Sequence, residues 1–183
     1  MKLLVFGASN HSASINATLA KWVANRLKAQ LVPDADLSFV DLNDYEMPIY
    51  SLDRERADGV HPLAHALFEK IGAADALIVS YPEYNGSYPS AWKNIHDWMS
   101  RIKMAIYQDK PLLALSATPG LRAGAGVLGA VQQSAPFFGA DLRGVVGVGT
   151  WSEAFDPNLG ELTKAEDLAA IDAALNNLMN KRI

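Results

Sequence analysis

Five strand-length apolar runs alternate with helix-length amphipathic stretches along this chain, and that alternation restricts the fold more than any other feature. "KLLVF" (2–6), "LSFVDL" (37–42), "DALIVSY" (75–81), "PLLALSA" (111–117) and the glycine-diluted "GVVGVG" (144–149) read as strands. Residues 14–30, 61–73, 88–104, 123–138 and 163–180 read as helices. The first of these shows Ile15, Leu19, Trp22, Val23 and Leu27 at helical spacing, and the third shows Trp92, Ile95, Trp98, Met99 and Ile102. Pro62 suits the first turn of its helix. Thr163 and Glu166 form the pattern of a capping box. Residues 43–60, polar and punctuated by Pro48 and Gly59, read as a long loop.

Strict alternation with near-continuous apolar strands predicts a parallel sheet covered on both faces. Five strands in 183 residues suit the smaller doubly wound α/β architecture. The expected fold is a flavodoxin-like three-layer α/β/α sandwich, with a five-stranded parallel sheet of order 2-1-3-4-5. A single domain over 1–183 is expected. A formal charge of −4 and the absence of any Lys/Arg cluster argue against a nucleic-acid or anionic-membrane partner. With no cysteine, disulfides, thiolate metal sites and cysteine nucleophiles are excluded. The opening apolar run ends at Gly7, too early for a signal-peptide core, and no stretch approaches membrane-spanning length, so a cytoplasmic location is expected.

Sheets of this kind take ligands at the carboxyl ends of their strands, where the strand order reverses. That rule selects the loops at 7–16, 81–90 and 117–126. The first, inside "VFGASNHSASIN", offers Ser9, Ser12, Ser14 and Asn16 where a helix begins. Two readings stand side by side: a phosphate cradle at a helix N-terminus, or a polar turn in which Ser14 is only an N-cap. Neither a G-x-G-x-x-G nor a G-x-x-x-x-G-K-[ST] pattern is present. The second loop offers the flat faces of Tyr84 and Tyr88 with Asn85 and backbone amides, as a planar heteroaromatic ligand requires. Trp92 and Trp98 behind it are assigned to the core or to a subunit contact. The third loop, "SATPGLRAGAG", holds Ser116, Thr118, Pro119, Gly120, Gly124 and Gly126. Glycines there let a ligand approach the backbone, while Gly126 and Gly129 are expected to permit tight helix packing. His61 and His65, an i,i+4 pair, are read as surface residues, and Asp53 and Glu55 as solvated.

Two passages resemble the NAD(P)H-dependent FMN reductase family, which includes chromate and quinone reductases. "GASNHSASINATLA" resembles its first-loop pattern G-S-x-R-x-x-S-x-N, and "PEYNGSYPSAWKNIHDW" resembles P-E-Y-N-x-S-x-P-x-x-L-K-N-x-I-D-W. The resemblance implies that Ser9, Ser14 and Asn16 bind the FMN phosphate, with His11 and Ile15 in the same loop. It places Pro82, Glu83, Tyr84 and Asn85 along the flavin ring and ribityl chain, and Ser116 and Gly120 at the ring's border. His11 stands where the family has arginine, and Ala8 where it has glycine. Arginine is always charged and grips a phosphate with a fork; histidine changes charge within the physiological range. The resemblance therefore implies FMN binding that is weaker or pH-dependent.

The resemblance further implies an enzyme with FMN as cofactor and NADPH or NADH as co-substrate, passing hydride to flavin N5 and electrons on to a small acceptor. Quinones, nitro or azo compounds, metal oxyanions and free flavin are the acceptors in view. The flavin would carry the chemistry, which agrees with a sequence showing no Ser-His-Asp grouping and no metal-ligand cluster. No catalytic side chain and no metal ligand is assigned. A homodimer or homotetramer is implied, with Trp92 a candidate for the partner contact. The alternatives are a flavodoxin-type electron carrier and a non-catalytic protein of the same fold with weakened flavin binding. A hydrolase is disfavoured because no G-x-S-x-G elbow is present.

Overall fold

Each interior strand of the sheet buries both of its faces, which is why the strands read as unbroken apolar runs rather than alternating ones. Leu3, Val5, Ala76, Ile78, Leu113 and Leu115 face one helical layer, while Leu4, Phe6, Leu77, Val79, Leu112 and Ala114 face the other. The computed structural model describes residues 1–180; the expected single domain over 1–183 includes three residues outside those described. The elements run β1 (Lys2–Gly7), α1 (Ile15–Gln30), β2 (Asp36–Phe39), a 3-10 turn (Leu42–Tyr45), α2 (Leu52–Asp58), α3 (Pro62–Ala73), β3 (Ala76–Ser80), α4 (Ser90–Met99), β4 (Lys110–Ala117), α5 (Ala125–Ser134), β5 (Ala140–Val148), α6 (Trp151–Ala154), β6 (Phe155–Asp156), β7 (Glu161–Leu162) and α7 (Ala165–Met179). The five long strands pair in parallel in the order β2-β1-β3-β4-β5, as expected. Helices α1 and α7 cover one face; α3, α4 and α5 cover the other.

Several boundaries differ from the sequence reading, each for a local reason. β2 ends at Phe39, because Asp41 accepts from the Asn43 N–H at 2.9 Å and turns the chain into the 3-10 turn. Inside the expected loop, α2 forms on a Ser51 N-cap and stops at Gly59, whose φ is 77°. Within it Glu55 is not simply solvated: Tyr50 Oη donates to it at 2.7 Å and Arg101 Nε at 3.0 Å, and these bonds hold its carboxyl below its ordinary value. β5 begins at Ala140 rather than Gly144. Arg143 and Asp141, paired at 2.6 Å, break the apolar run there, and a charged pair suits an edge strand.

The capping box at Thr163 and Glu166 does not form. Lys164 occupies the N-cap of α7 with no side-chain bond to the helix's N–H groups, while the Thr163 N–H and hydroxyl both donate to the Ala154 carbonyl, at 2.9 and 3.3 Å. That tie closes a small unit, α6 with the antiparallel hairpin of β6 and β7, for which the two-residue strands gave no periodic signal. The hairpin is joined to α1 by Trp22 Nε1, which donates to Glu161 at 2.7 Å. Trp92 is fully buried, packed on Phe6 and Tyr81, so it cannot meet a partner chain; its place is the core. Among the described residues no helix is long and apolar enough to cross a membrane.

Candidate functional site

Beyond the carboxyl end of β1 the loop at 8–14 brings the first turn of α1 back against the strand end, and Gly7 permits that close packing. A Cβ at Gly7 would lie 2.6 Å from the Ala17 nitrogen, so any larger residue would push the helix off the strand. This close approach sets the N-terminus of α1 beside the ends of β3 and β4. A cleft of about 280 Å³ opens there, lined by Ser9, His11, Ala13, Ser14, Ile15, Asn16, Pro82, Glu83, Tyr84, Ala117, Thr118 and Pro119. All three loops selected by the fold rule contribute to it. Another depression, about 200 Å³, lies between the 3-10 turn and the first turns of α4, with Asn10 of the first loop at its edge and no residue of the third loop in its lining.

Ser14 is the N-cap of α1, its Oγ accepting from the Ala17 N–H at 3.3 Å. Capping uses one of the hydroxyl's two lone pairs and leaves its proton free to donate. Ser9 is in the same position, its Oγ accepting from the His11 N–H at 3.1 Å. The Ile15 and Asn16 N–H groups, first in the helix, have no partner among the described residues. The two readings of this loop are therefore compatible: Ser14 caps the helix, and donors for an anion remain. His11 is exposed and is the only lining side chain able to carry positive charge.

Asn16 has a further job. The residue is 2% exposed and its side chain bridges two strand ends. Oδ1 accepts from Ser80 Oγ at 2.6 Å and from the Ala117 N–H at 2.8 Å, and Nδ2 donates to the Ala117 carbonyl at 2.9 Å. Most of its hydrogen-bonding capacity is thus committed to joining α1, β3 and β4. Its backbone N–H has no partner among the described residues and is available to a ligand.

The second loop closes through Tyr84 and Ser87, which exchange backbone hydrogen bonds at 3.0 and 3.1 Å. Asn85 (φ 52°) and Gly86 (φ 75°) between them make the Asn-Gly turn whose two central residues both need positive φ. The turn leaves Tyr84 about half exposed, at 49%, on the cleft wall. Asn85 sits at the tip and does not line the cleft. Neither do Ser116 and Gly120. Ser116 is fully buried with its Oγ beneath Gly124, whose Cβ would fall 2.1 Å from it. Thr118, Pro119 and Ala117 form the third wall instead. Gly126 is closely packed, as expected, whereas a Cβ at Gly129 would meet nothing within 4 Å, so no packing demand explains that glycine.

This is a doubly wound α/β sandwich with an anion-ready helix N-terminus and an aromatic turn facing each other across the strand-order reversal. The family model for NADPH-dependent FMN reductases matches residues 1–153, and the chain belongs to that family. It is 29% identical to a quinone reductase of Escherichia coli over 125 residues, 68% of this chain and 64% of that protein's length. It is 27% identical to the NADH-dependent flavin reductase subunit 2 of Lactobacillus johnsonii over 189 residues, covering 98% and 96% of the two chains. Among solved structures, the flavoenzyme FerB of Paracoccus denitrificans, an NAD(P)H:acceptor oxidoreductase, superposes with a TM-score of 0.75 at 23% identity, over 97% of this chain and 96% of FerB.

Proposed function

We propose that the protein is an NAD(P)H-dependent FMN reductase of the quinone-reductase type, acting in the cytoplasm as one FMN-binding domain that pairs into a homodimer or homotetramer. The observation that carries the reading is the sharing of one cleft by the free Ile15 and Asn16 N–H groups and the half-exposed Tyr84 ring. The first suits a phosphate, the second a planar ring, and FMN joins both in one molecule. FMN, when bound, supplies the redox chemistry, accepting hydride from NADPH or NADH and passing electrons to a quinone, nitro or azo compound, metal oxyanion or free flavin.

The residues of this chain bind and orient. The Ser9 and Ser14 hydroxyls and the Ile15 and Asn16 N–H groups would hold the phosphate, and the positive end of α1 favours its charge. Pro82, Glu83 and Tyr84 would border the ribityl chain and ring, with Asn85 shaping the turn that presents them. Thr118 and Pro119 would close the opposite wall, with Ser116 and Gly120 supporting that loop from outside the cleft. No proton-transferring side chain is required of the protein.

His11 makes the phosphate assignment testable. Replacing His11 with arginine is expected to tighten FMN binding at pH 8 about tenfold, the effect of roughly 1.4 kcal/mol from one added charge-assisted contact. Riboflavin, which lacks the phosphate, should bind both proteins equally. Flavin fluorescence titrations measure both. An unchanged FMN affinity, or an equal gain for riboflavin, would show that residue 11 does not meet the phosphate.

A further inference from the structure

The N-terminus of α5 is capped from another loop. Its own N-cap, Gly124, has no side chain to offer. Glu83, 43 residues earlier, places its Oε2 there and accepts from the Gly126 N–H at 2.8 Å and the Val127 N–H at 3.1 Å. A carboxylate at this end of a helix is stabilised by the unpaired N–H groups and by the helix dipole. The tip of the same turn then rests on the helix. A Cβ at Gly126 would lie 2.8 Å from the Gly86 carbonyl oxygen, 3.1 Å from the Gly86 Cα and 3.1 Å from Glu83 Oε2. Farther along, Tyr88 Oη and Ser134 Oγ are 3.1 Å apart, tying the end of the loop to the last residue of α5. The turn that carries Tyr84 is therefore held against α5 at three points, and two of them meet at Gly126.

We infer that Glu83 and Gly126 are positioning residues that set the cleft's affinity for its flavin through the pose of Tyr84. Gly126 is absent from the cleft wall, whereas Glu83 lines it and is held there by its bonds to α5. The inference rests on the flavin reading for its ligand. It also runs against what helix energetics alone would predict. Alanine is favoured over glycine inside a helix, which offsets part of the cost when the Gly126→Ala methyl group pushes the backbone of the Asn85-Gly86 tip away. Gly129, in the same helix with open space around its Cα, is the matched control.

The test compares wild type with Gly126→Ala, Gly129→Ala, Glu83→Ala and Glu83→Gln. FMN affinity, the thermal midpoint, and amide hydrogen exchange at Tyr84 and Ser87 in flavin-free protein are measured for each. Gly126→Ala is expected to weaken FMN binding at least tenfold and to speed exchange at the turn, by more than its change in midpoint accounts for. Gly129→Ala should leave binding and exchange unchanged. Glu83→Ala should behave like Gly126→Ala, and Glu83→Gln, whose amide oxygen still accepts from the Gly126 N–H, should recover most of the affinity. Wild-type affinity and exchange in Gly126→Ala, or a loss of binding that only tracks a lowered midpoint, would overturn the inference. If wild type itself fails to bind FMN, the flavin reading falls, and the exchange rates still decide whether the turn is held by α5.

Discussion

Replacing Asn16 with alanine is expected to lower the thermal midpoint by about 10 °C. The side chain makes three buried hydrogen bonds, to Ser80 Oγ and to both backbone groups of Ala117. Each is worth about 1 kcal/mol net, about 3 kcal/mol together, and stranding their buried partners adds at least about 1 kcal/mol, for a total of about 4 kcal/mol or more. At this chain length, 1 kcal/mol corresponds to roughly 2–4 °C. Asn16→Asp is a sharper variant. It keeps the acceptor that Ser80 and the Ala117 N–H use, but turns the donor into an oxygen facing the Ala117 carbonyl, so it too should destabilise. Calorimetry on the three proteins measures the effect. A loss below about 3 °C for Asn16→Ala would mean that the bridge does not hold the strand ends together.

A second large effect is expected on acidification. His96 lies on α4, 8% exposed, with its ring edge-on to Phe138 at 4.3 Å and to Trp92 at 6.3 Å. Its Nδ1 has no hydrogen-bond partner. Burial disfavours the charged form and holds its pKa down at about 4 from the ordinary 6.5; Asp97 partly opposes this and Lys93 adds to it. In the unfolded chain the histidine takes up a proton from about pH 6.5 downward, while the folded protein resists until about pH 4. Above pH 6.5 the group contributes no pH dependence. Stability is then lost as pH falls from 6.5 to 4, and the loss levels off below that. At 1.36 kcal/mol per unit, the loss by pH 4.5 is roughly 2–3 kcal/mol. His96→Leu removes the titrating group and keeps an apolar side chain in the pocket. Urea unfolding at pH 7.5 and 4.5 should show wild type losing that much more than the variant. Equal losses would show that His96 accepts a proton in the folded state without penalty.

The sheet was legible because its buried strands are continuous apolar runs and the intervening helices repeat at helical spacing; together these leave few arrangements open. What escaped was local or distant. Two-residue strands such as Phe155–Asp156 carry no periodicity, and the Asp141–Arg143 pair hid the start of an edge strand. In the site, the three loops could be chosen from sequence because position in the fold decides them. The partners of individual side chains could not. Asn16 was visible as a loop amide, but its bonds run to Ala117, 101 residues away. Glu83 stood inside a recognisable motif, yet nothing local announces that its carboxylate ends on Gly126. The signal that came closest was the glycine itself, expected to allow close packing at Gly126 and wrongly given the same role at Gly129.

The anion-ready end of α1 and the aromatic turn belong to one site only if a single ligand occupies both. The direct measurement is a titration of the purified protein with FMN and with riboflavin, followed by anaerobic addition of NADPH or NADH while the visible flavin spectrum is recorded. The account predicts saturable FMN binding, tighter than that of riboflavin, and bleaching of the bound flavin's visible absorbance by the reduced pyridine nucleotide. Binding without bleaching would instead mark an electron carrier. An absence of FMN binding at concentrations on the order of 1 mM, an affinity too weak for any specific site of this size, would contradict the account.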